Sequence, residues 1–357
     1  MSGEQVLLER RGGLGIVTLN RPEALNTLSL AMYRRFDPAL IAWANDPDVR
    51  AVIVRGASAR AFCAGGDVVA IYEARAETGD AGYKADFFRE EYTLVRRVHR
   101  FPKPYLALMD GVTMGGGAGI AVNGSFPVTT ERTLFAMPEV QIGLFPDVGA
   151  TRFLNRCPGK IGLYLALTGT RLGAADLIYC GLARHFVPQA RLEALVDALA
   201  VRGWEGDAQA EVAAVLAAFA DDPGPPMLRD RHASIDRCFA GESVEAILTA
   251  LADESDRWAQ DARAAMERAS PTSLKIVFRQ LRQGAADVED ALALEYRLTQ
   301  NVMARHDFFE GIRAQLIDKD RAPRWQPATL AAVSDADVDS YFAPLGAREL
   351  SFAPLTG

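Results

Sequence analysis

The chain has few cysteines and lacks any long basic run. Its four cysteines, Cys63, Cys157, Cys180 and Cys238, are far apart and include no CxxC pair. This argues against a zinc site or a disulfide framework and fits a reduced, cytoplasmic setting. The net charge is −7, which argues against a general nucleic-acid binder. We therefore expect no metal, no nucleic-acid partner and a cytoplasmic location.

Long apolar runs and hydrolase triad motifs are also missing. The longest apolar run, residues 106–122, is interrupted by Asp110 and by glycines, and a membrane span needs about 20 apolar residues. The N-terminal MSGEQVLLERRGGLG does not have the pattern of a signal peptide, so we expect neither a leader nor a membrane partner. No GxSxG motif is present and the histidines are isolated from one another, which argues against a serine-based triad.

What is present is an alternation of short apolar runs and helical patterns. Strands are predicted at 14–20, 51–55, 105–109, 126–130 and 133–136, of which 51–55 and 105–109 are expected to be buried, and helices lie between them up to about residue 190. This order predicts an α/β fold with a largely parallel sheet and helices outside it. Beyond residue 190 the sequence is alanine-rich and helical. We predict a core over residues 1–190 and a mainly helical region over residues 191–357.

Two glycine-rich turns each follow a predicted buried strand. One is CAGGD, residues 63–67, and the other is MGGGAG, residues 114–119. Consecutive glycines leave backbone N–H groups uncovered, and two such groups could stabilise an oxyanion. The alternatives are an ordinary turn with Asp67 as a helix cap, and close helix packing at the second turn. The second turn lacks the pattern of a dinucleotide site or a P-loop.

Two carboxylates lie in the apolar segment TLFAMPEVQIGLFPDVGATR, with no basic residue near them in the segment. They are Glu139 and Asp147. Apolar surroundings favour the neutral form of a carboxylic acid, which brings its pKa toward a range useful for acid–base catalysis. The alternatives are a solvated loop acid for Glu139 and a helix cap for Asp147. A third acid, Glu91 in FFREEY, is equally explained by helical pairing of Glu90 or Glu91 with Arg96 or Arg97.

Together these motifs resemble the crotonase (enoyl-CoA hydratase/isomerase) superfamily. The resemblance covers roughly residues 5–330 and is carried by LNRPEALNTLS, AFCAGGD, KPYLALMDGVTMGGG, FAMPEVQIGLFPDVG and LTGTRLGAADLIYCGLARHFV. FFREEY, SPTSLKI and HDFFEGIRAQLIDKDRAPRW resemble its 3-hydroxyisobutyryl-CoA hydrolase branch. The resemblance implies a spiral of repeated ββα units with a helical C-terminal region. It also implies an acyl-CoA substrate, no separate cofactor, and a homo-oligomer, either a trimer or a hexamer.

The resemblance also implies roles for individual residues. The N–H groups of Gly66 and Gly116 are expected to form the oxyanion hole, and Glu139 and Asp147 to be the catalytic acids. Glu91 is expected to meet the substrate's hydroxyl end. The remaining expected contacts are the adenine and substrate contacts Ala64, Gly65 and Gly115, and the CoA-phosphate contacts Lys319 and Arg321.

One position departs from the hydratases of the superfamily. They carry a glutamate in the helix after the second glycine turn, and this chain has Gly119 there. We therefore predict hydrolysis of a short-chain 3-hydroxyacyl-CoA, with 3-hydroxyisobutyryl-CoA and valine breakdown implied by the resemblance. Glu139 would attack the thioester or activate water, with Asp147 relaying a proton. The alternatives are a dienoyl-CoA or enoyl-CoA isomerase and a non-catalytic acyl-CoA-binding protein.

Overall fold

The computed structural model describes residues 4–58, 60–74 and 81–353. The strands of this part of the chain form two sheets. In chain order they are β1 (Val6–Arg11), β2 (Leu14–Leu19), β3 (Ala51–Gly56), β4 (Ala61–Cys63), β5 (Tyr105–Met109), β6 (Val112–Met114), β7 (Phe126–Thr129), β8 (Leu134–Ala136) and β9 (His185–Phe186). One sheet has the order β1-β2-β3-β5-β7-β9 and the other the order β4-β6-β8.

The two sheets grow together as the chain advances. Strands β3 and β4, then β5 and β6, then β7 and β8 place one strand in each sheet, and every pair is followed by a helical segment. All pairings in both sheets are parallel except the antiparallel hairpin of β1 and β2. This is the predicted α/β spiral of ββα units.

Helices cover the sheets and form most of the second half of the chain. They are α1 (Leu30–Asn45), α2 (Val68–Glu73), α3 (Ala81–His99), α4 (Gly116–Val122), α5 (Ala150–Phe153), α6 (Ile161–Thr168), α7 (Ala174–Tyr179), α8 (Leu192–Ala200), α9 (Ala208–Phe219), α10 (Met227–Cys238), α11 (Val244–Ala252), α12 (Arg257–Arg268), α13 (Pro271–Gln283), α14 (Val288–Met303), α15 (His306–Ile312) and α16 (Asp335–Tyr341).

Shorter helical turns connect several of these elements. They are the 3-10 turns Pro22–Ala24, Glu139–Ile142, Leu154–Arg156, Gln189–Arg191, Leu330–Ala332 and Gly346–Arg348, and the π-helical turn Arg313–Ile317. Helix α5 continues directly into the 3-10 turn Leu154–Arg156. None of the helices described is long and apolar enough to cross a membrane.

Local sequence signals explain several helix ends. The Ser29 side chain accepts a hydrogen bond from the N–H of Met32 at 3.3 Å and caps α1. Asp67 caps α2 by accepting from the N–H of Ala70 at 3.1 Å. Because a proline at the first helical position loses no intrahelical bond, Pro271 opens α13.

The central strands of the six-stranded sheet, β2, β3, β5 and β7, are buried on both faces. On one face Leu14 and Ile16 pack with Leu195 of α8 and Val212 of α9 in a separate apolar cluster. On the other face Val17 and Val52 belong to the main core, which the other helices share. Helices α8 and α9 thus complete the layer over the sheet, and the predicted division at residue 190 stays a prediction.

Candidate active site

Three carboxylates that are distant in sequence lie in one buried region. Glu91 on α3, Glu139 at the start of a 3-10 turn, and Asp147 on the following loop are 3%, 5% and 4% exposed. One oxygen of Glu139, Oε2, is buried without a hydrogen-bond partner in the described part of the chain. A buried carboxylate lacking a partner is costly unless it serves chemistry, so the solvated-loop alternative for Glu139 is wrong.

The two glycine turns meet beside these acids. A Cβ built on Gly116 would lie 3.2 Å from the nitrogen of Gly66 and would collide with Oε1 of Glu91, while one on Gly115 would lie 3.2 Å from Oε1 of Glu139. Neither Gly66 nor Gly116 donates its N–H to another described residue. Two backbone N–H groups without an acceptor therefore lie next to Glu91 and Glu139. An oxyanion hole needs available donors of this kind.

Glu91 points into the site and does not pair along its helix. Its Oε1 accepts a hydrogen bond of 2.6 Å from the hydroxyl of Tyr33 on α1. The helical-pairing alternative is wrong because Glu90 binds Arg34 at 2.7 Å. The two expected helical partners bind elsewhere, Arg96 to Glu289 and Arg97 to Asp37. Tyr33 thus fixes one oxygen of Glu91 near Gly116.

Asp147 is likewise held by a tyrosine. Its Oδ2 accepts a hydrogen bond of 2.7 Å from the hydroxyl of Tyr92, which follows Glu91 on α3. The helix-cap alternative is wrong, because Gly149 occupies the N-cap position of α5 and two N–H groups at the start of this helix donate to Glu295, not to the carboxylate of Asp147. The carboxylate of Asp147 is therefore free to act in the site.

Burial sets the protonation of the cluster. It raises the pKa of Glu91 and of Glu139 well above the ordinary range, and repulsion from Asp147 raises both further. Burial also raises the pKa of Asp147 to about 6, against the hydrogen bond from Tyr92, which lowers it. Asp147 is thus the acid that ionises first, and Glu139 is biased toward its neutral form. Acids whose environments separate their pKa values in this way can divide the roles of acid and base.

Gly119 makes room for a neighbouring side chain. A Cβ on Gly119 would lie 2.5 Å from the Cβ of Val148, so Val148 occupies the space into which a longer residue would project. Val148 itself has φ of +54°, which is strained for a β-branched residue. The position at which hydratases of the superfamily carry a glutamate is therefore closed by packing.

The other predicted contacts are residues of the two glycine turns and two exposed cations, and their roles stay predictions. Gly65 and Gly115 have φ of +119° and +49°, so both turns require glycine. Ala64 is half-buried and donates its N–H to Leu25 at 3.0 Å. Lys319 and Arg321 are exposed. They follow the π-helical turn, which packs against α2 and against the turn of Glu139.

Within the described ranges, no group of three or more His, Cys, Asp or Glu side chains could hold a metal ion. The expectation that the protein uses no separate cofactor stays a prediction.

Three residues of the site were not predicted from the sequence. Tyr33 and Tyr92 are the donors to Glu91 and Asp147, and Glu295 on α14 is fully buried with its pKa raised to about 8 by burial. Glu295 lies in the apolar run ALALEYRL, and a lone acid in an apolar helix is the same signal that drew attention to Glu139. The tyrosines carry no comparable local signal.

The whole chain matches known proteins. The family model "Enoyl-CoA hydratase/isomerase" matches residues 14–342. The 3-hydroxyisobutyryl-CoA hydrolase, mitochondrial, of Rattus norvegicus is 46% identical over 98% of this chain and 91% of its own length. The human protein of the same name is 44% identical over 98% of this chain and 92% of its own length.

Two solved structures share the fold almost throughout. A carnitinyl-CoA dehydratase from Mycobacterium thermoresistibile has a TM-score of 0.92 and 42% identity, covering 99% of this chain and 100% of that one. An enoyl-CoA hydratase from Rhodobacter sphaeroides has a TM-score of 0.90 and 40% identity, covering 98% and 100%. The predicted fold class is confirmed.

The expected cytoplasmic location is contradicted by these relatives. The proteins from rat, mouse and human are all named as mitochondrial. The expectation rested on unpaired cysteines, which indicate a reducing compartment but do not distinguish one such compartment from another.

Proposed function

The chain belongs to the enoyl-CoA hydratase/isomerase family, and from this premise we propose that it hydrolyses the thioester of a short-chain 3-hydroxyacyl-CoA. One observation carries the proposal: the N–H groups of Gly66 and Gly116, which donate to no other described residue, lie beside the buried acids Glu91 and Glu139. Relatives 44–46% identical over 98% of the chain are 3-hydroxyisobutyryl-CoA hydrolases. We infer that 3-hydroxyisobutyryl-CoA is the substrate and that the reaction serves valine breakdown.

The glycine N–H groups supply charge stabilisation. When the thioester carbonyl is attacked, its oxygen becomes negative, and the N–H groups of Gly66 and Gly116 would donate to it. Each such donor contributes about 3–4 kcal/mol to the transition state in comparable enzymes. Because Glu91 Oε1 lies beside Gly116, a carbonyl bound there places the acyl chain near Glu91.

Glu139 would supply or activate the nucleophile, and Asp147 would relay the proton. Asp147, which is ionised above about pH 6, is the base available to take the proton that Glu139 must release before it acts, and this transfer runs uphill because Glu139 has the higher pKa. In one route an oxygen of Glu139 attacks the thioester carbon, the C–S bond breaks, CoA leaves as the thiol after protonation, and water opens the anhydride. In the other route Glu139 takes a proton from water, which attacks directly. Single-turnover hydrolysis in ¹⁸O-water separates them, because only the anhydride route leaves the label in Glu139.

Glu91 would select the hydroxyl group of the acyl chain. Its oxygen Oε1 already accepts from Tyr33, and a carboxylic group has further capacity to bond a substrate hydroxyl. A site built to bond a hydroxyl group rejects an analogue that lacks it by up to about 10⁴–10⁵-fold, because its polar groups are then left unpaired. We therefore expect 3-hydroxyacyl-CoA to be preferred over the matching unsubstituted acyl-CoA.

Hydration is the competing reaction, since the two solved structures are those of a dehydratase and a hydratase. The closed space between Gly119 and Val148 argues against it, because water addition in this superfamily uses a second glutamate at that position. Isomerisation would leave the thioester intact.

The test is a thiol assay on a panel of 3-hydroxyisobutyryl-CoA, 3-hydroxypropionyl-CoA and crotonyl-CoA. Hydrolysis releases free CoA thiol, which a thiol reagent detects, whereas hydration and isomerisation change absorbance without releasing thiol. We expect thiol from the 3-hydroxyacyl substrates only. If none of them yields thiol, the proposal fails, and tight CoA binding without turnover would indicate a binding protein instead.

A further inference from the structure

The loop that carries Asp147 has a strained backbone. Val148 and Gly149 have φ of +54° and +89°, and a β-branched residue rarely adopts the first of these values. Strained conformations persist only where surrounding contacts fix them, and they concentrate at functional sites. The contacts that fix this loop therefore bear on the direction in which Asp147 points.

Glu295 on α14 makes all its hydrogen bonds to this loop. Its Oε2 accepts from the N–H of Gly149 at 2.7 Å, and its Oε1 accepts from the N–H of Thr151 at 2.8 Å and from the hydroxyl of Thr151 at 2.7 Å. The side chain is fully buried. In the described residues no cationic side chain pairs with it, although a buried acid is costly to the fold.

Neighbouring side chains complete the support. Gln280 on α13 donates to the carbonyl of Pro146 and to the hydroxyl of Thr151, both at 2.8 Å. From the opposite side Asn123 donates to the carbonyl of Val148 at 3.0 Å. The loop is thus held on both sides of Asp147, and Glu295 supplies the largest number of these bonds.

Helix α14 also supports the other partner of Asp147. The ring of Tyr296 lies edge-on to that of Tyr92, with 6.4 Å between the centroids, and Tyr92 donates to Asp147. Helix α14 therefore holds the loop of Asp147 through Glu295. It also contacts Tyr92, the hydrogen-bond donor to Asp147, through the ring of Tyr296.

We propose that Glu295 is a positioning residue, which holds Asp147 in its catalytic orientation through Gly149 and Thr151. This inference rests on the proposed function, because the orientation of Asp147 matters only if Asp147 acts on the substrate. Glu295 touches no reacting atom. Its three acceptor bonds hold Gly149 and Thr151 in place, at the cost of burying an acid.

The test is Glu295→Gln, assayed by CoA thiol release from 3-hydroxyisobutyryl-CoA. The amide group presents an N–H₂ where the loop needs an acceptor, so one donor loses its partner. Since a displacement of about 1 Å in an active site costs on the order of 10²-fold in rate, we expect kcat to fall by about that factor. KM should change little, because the turns of Gly66 and Gly116 that would bind the thioester are untouched.

The matched control is Asp176→Asn. Asp176 is a buried acid on α7 that accepts from the N–H of Leu228 at 2.9 Å, and it has no part in the site. Its loss should lower thermal stability without changing kcat. A fall in kcat with steady KM in Glu295→Gln, but not in the control, supports the proposal. A folded Glu295→Gln protein with wild-type kcat overturns it.

If Glu295→Gln does not fold, a second pair of variants tests the positioning role of Glu295. Thr151→Ser keeps the hydroxyl group that donates to Glu295, whereas Thr151→Val keeps the shape of threonine and removes that group. We expect the valine variant to lose rate and the serine variant to retain it. Equal rates in the two overturn the positioning role. If the wild-type protein itself releases no thiol, the proposed function has failed instead.

Discussion

Replacing Asp147 by asparagine should stabilise the protein while abolishing its activity. Burial raises the pKa of Asp147 from 3.8 to about 6. Because one pKa unit corresponds to about 1.36 kcal/mol, ionising this carboxyl group costs the folded protein about 3 kcal/mol. The amide oxygen of the variant can still accept from Tyr92, so the hydrogen bond of 2.7 Å is retained.

The direction of the pH dependence follows from the raised pKa. Below about pH 3.8 both the folded and the unfolded chain keep the proton, and the wild-type protein pays no penalty. Between about pH 3.8 and pH 6 the unfolded chain is ionised at Asp147 while the folded one keeps its proton, so stability is lost across this interval and the loss is complete above about pH 6. The variant has nothing to ionise. Its advantage is therefore full near neutral pH and absent near pH 4.

Differential scanning calorimetry measures this advantage. The entropy of unfolding, about 2.1 cal/mol/K per residue, gives about 0.75 kcal/mol/K for the 357 residues. The gain of about 3 kcal/mol then raises Tm by about 4 °C near pH 7.5, with no change near pH 4. Asp176→Asn should lower Tm, since it removes a charged acceptor from the start of a helix. A lower Tm for Asp147→Asn at neutral pH would show that ionised Asp147 does not destabilise the folded protein.

Three further outcomes follow from the same site. The pH profile of kcat/KM should fall below about pH 6, because protonation of Asp147 removes the group that accepts the proton. In Tyr92→Phe that fall should move to higher pH, because the hydroxyl group that lowers the pKa of Asp147 is gone. Gly119→Glu should lower Tm and yield no hydration of crotonyl-CoA by absorbance, because its Cβ would lie 2.5 Å from that of Val148.

Elements with local signals could be predicted from the sequence. Helix α1 has its Ser29 cap and the apolar spacing of Met32, Phe36 and Leu40, and all three side chains are buried. The first strand, β1, was not predicted. Four of its six residues are exposed, so no alternation of apolar and polar residues marks it, and it forms only by pairing with β2 at the sheet edge.

The side chains that tune the site could not be predicted, because their contacts depend on the fold. The hydrogen bonds Tyr33–Glu91 and Tyr92–Asp147 join residues 58 and 55 positions apart, and Glu295 lies 146 positions from Gly149. Helical spacing predicted that Glu90 or Glu91 would pair with Arg96 or Arg97. In the folded protein Arg96 binds Glu289 and Arg97 binds Asp37 instead. The glycine turns and Glu139 could be identified because each motif is contiguous.

We propose above all that Glu139 drives thioester hydrolysis in the space beside Gly66 and Gly116. The most direct measurement is CoA thiol release from 3-hydroxyisobutyryl-CoA by the wild-type protein and by Glu139→Gln, with CoA binding measured in parallel. We predict one thiol per substrate from the wild type and a rate lower by about 10²–10⁴-fold in the variant, with CoA still bound. Equal rates in the two proteins, or no thiol from the wild type, would contradict this account.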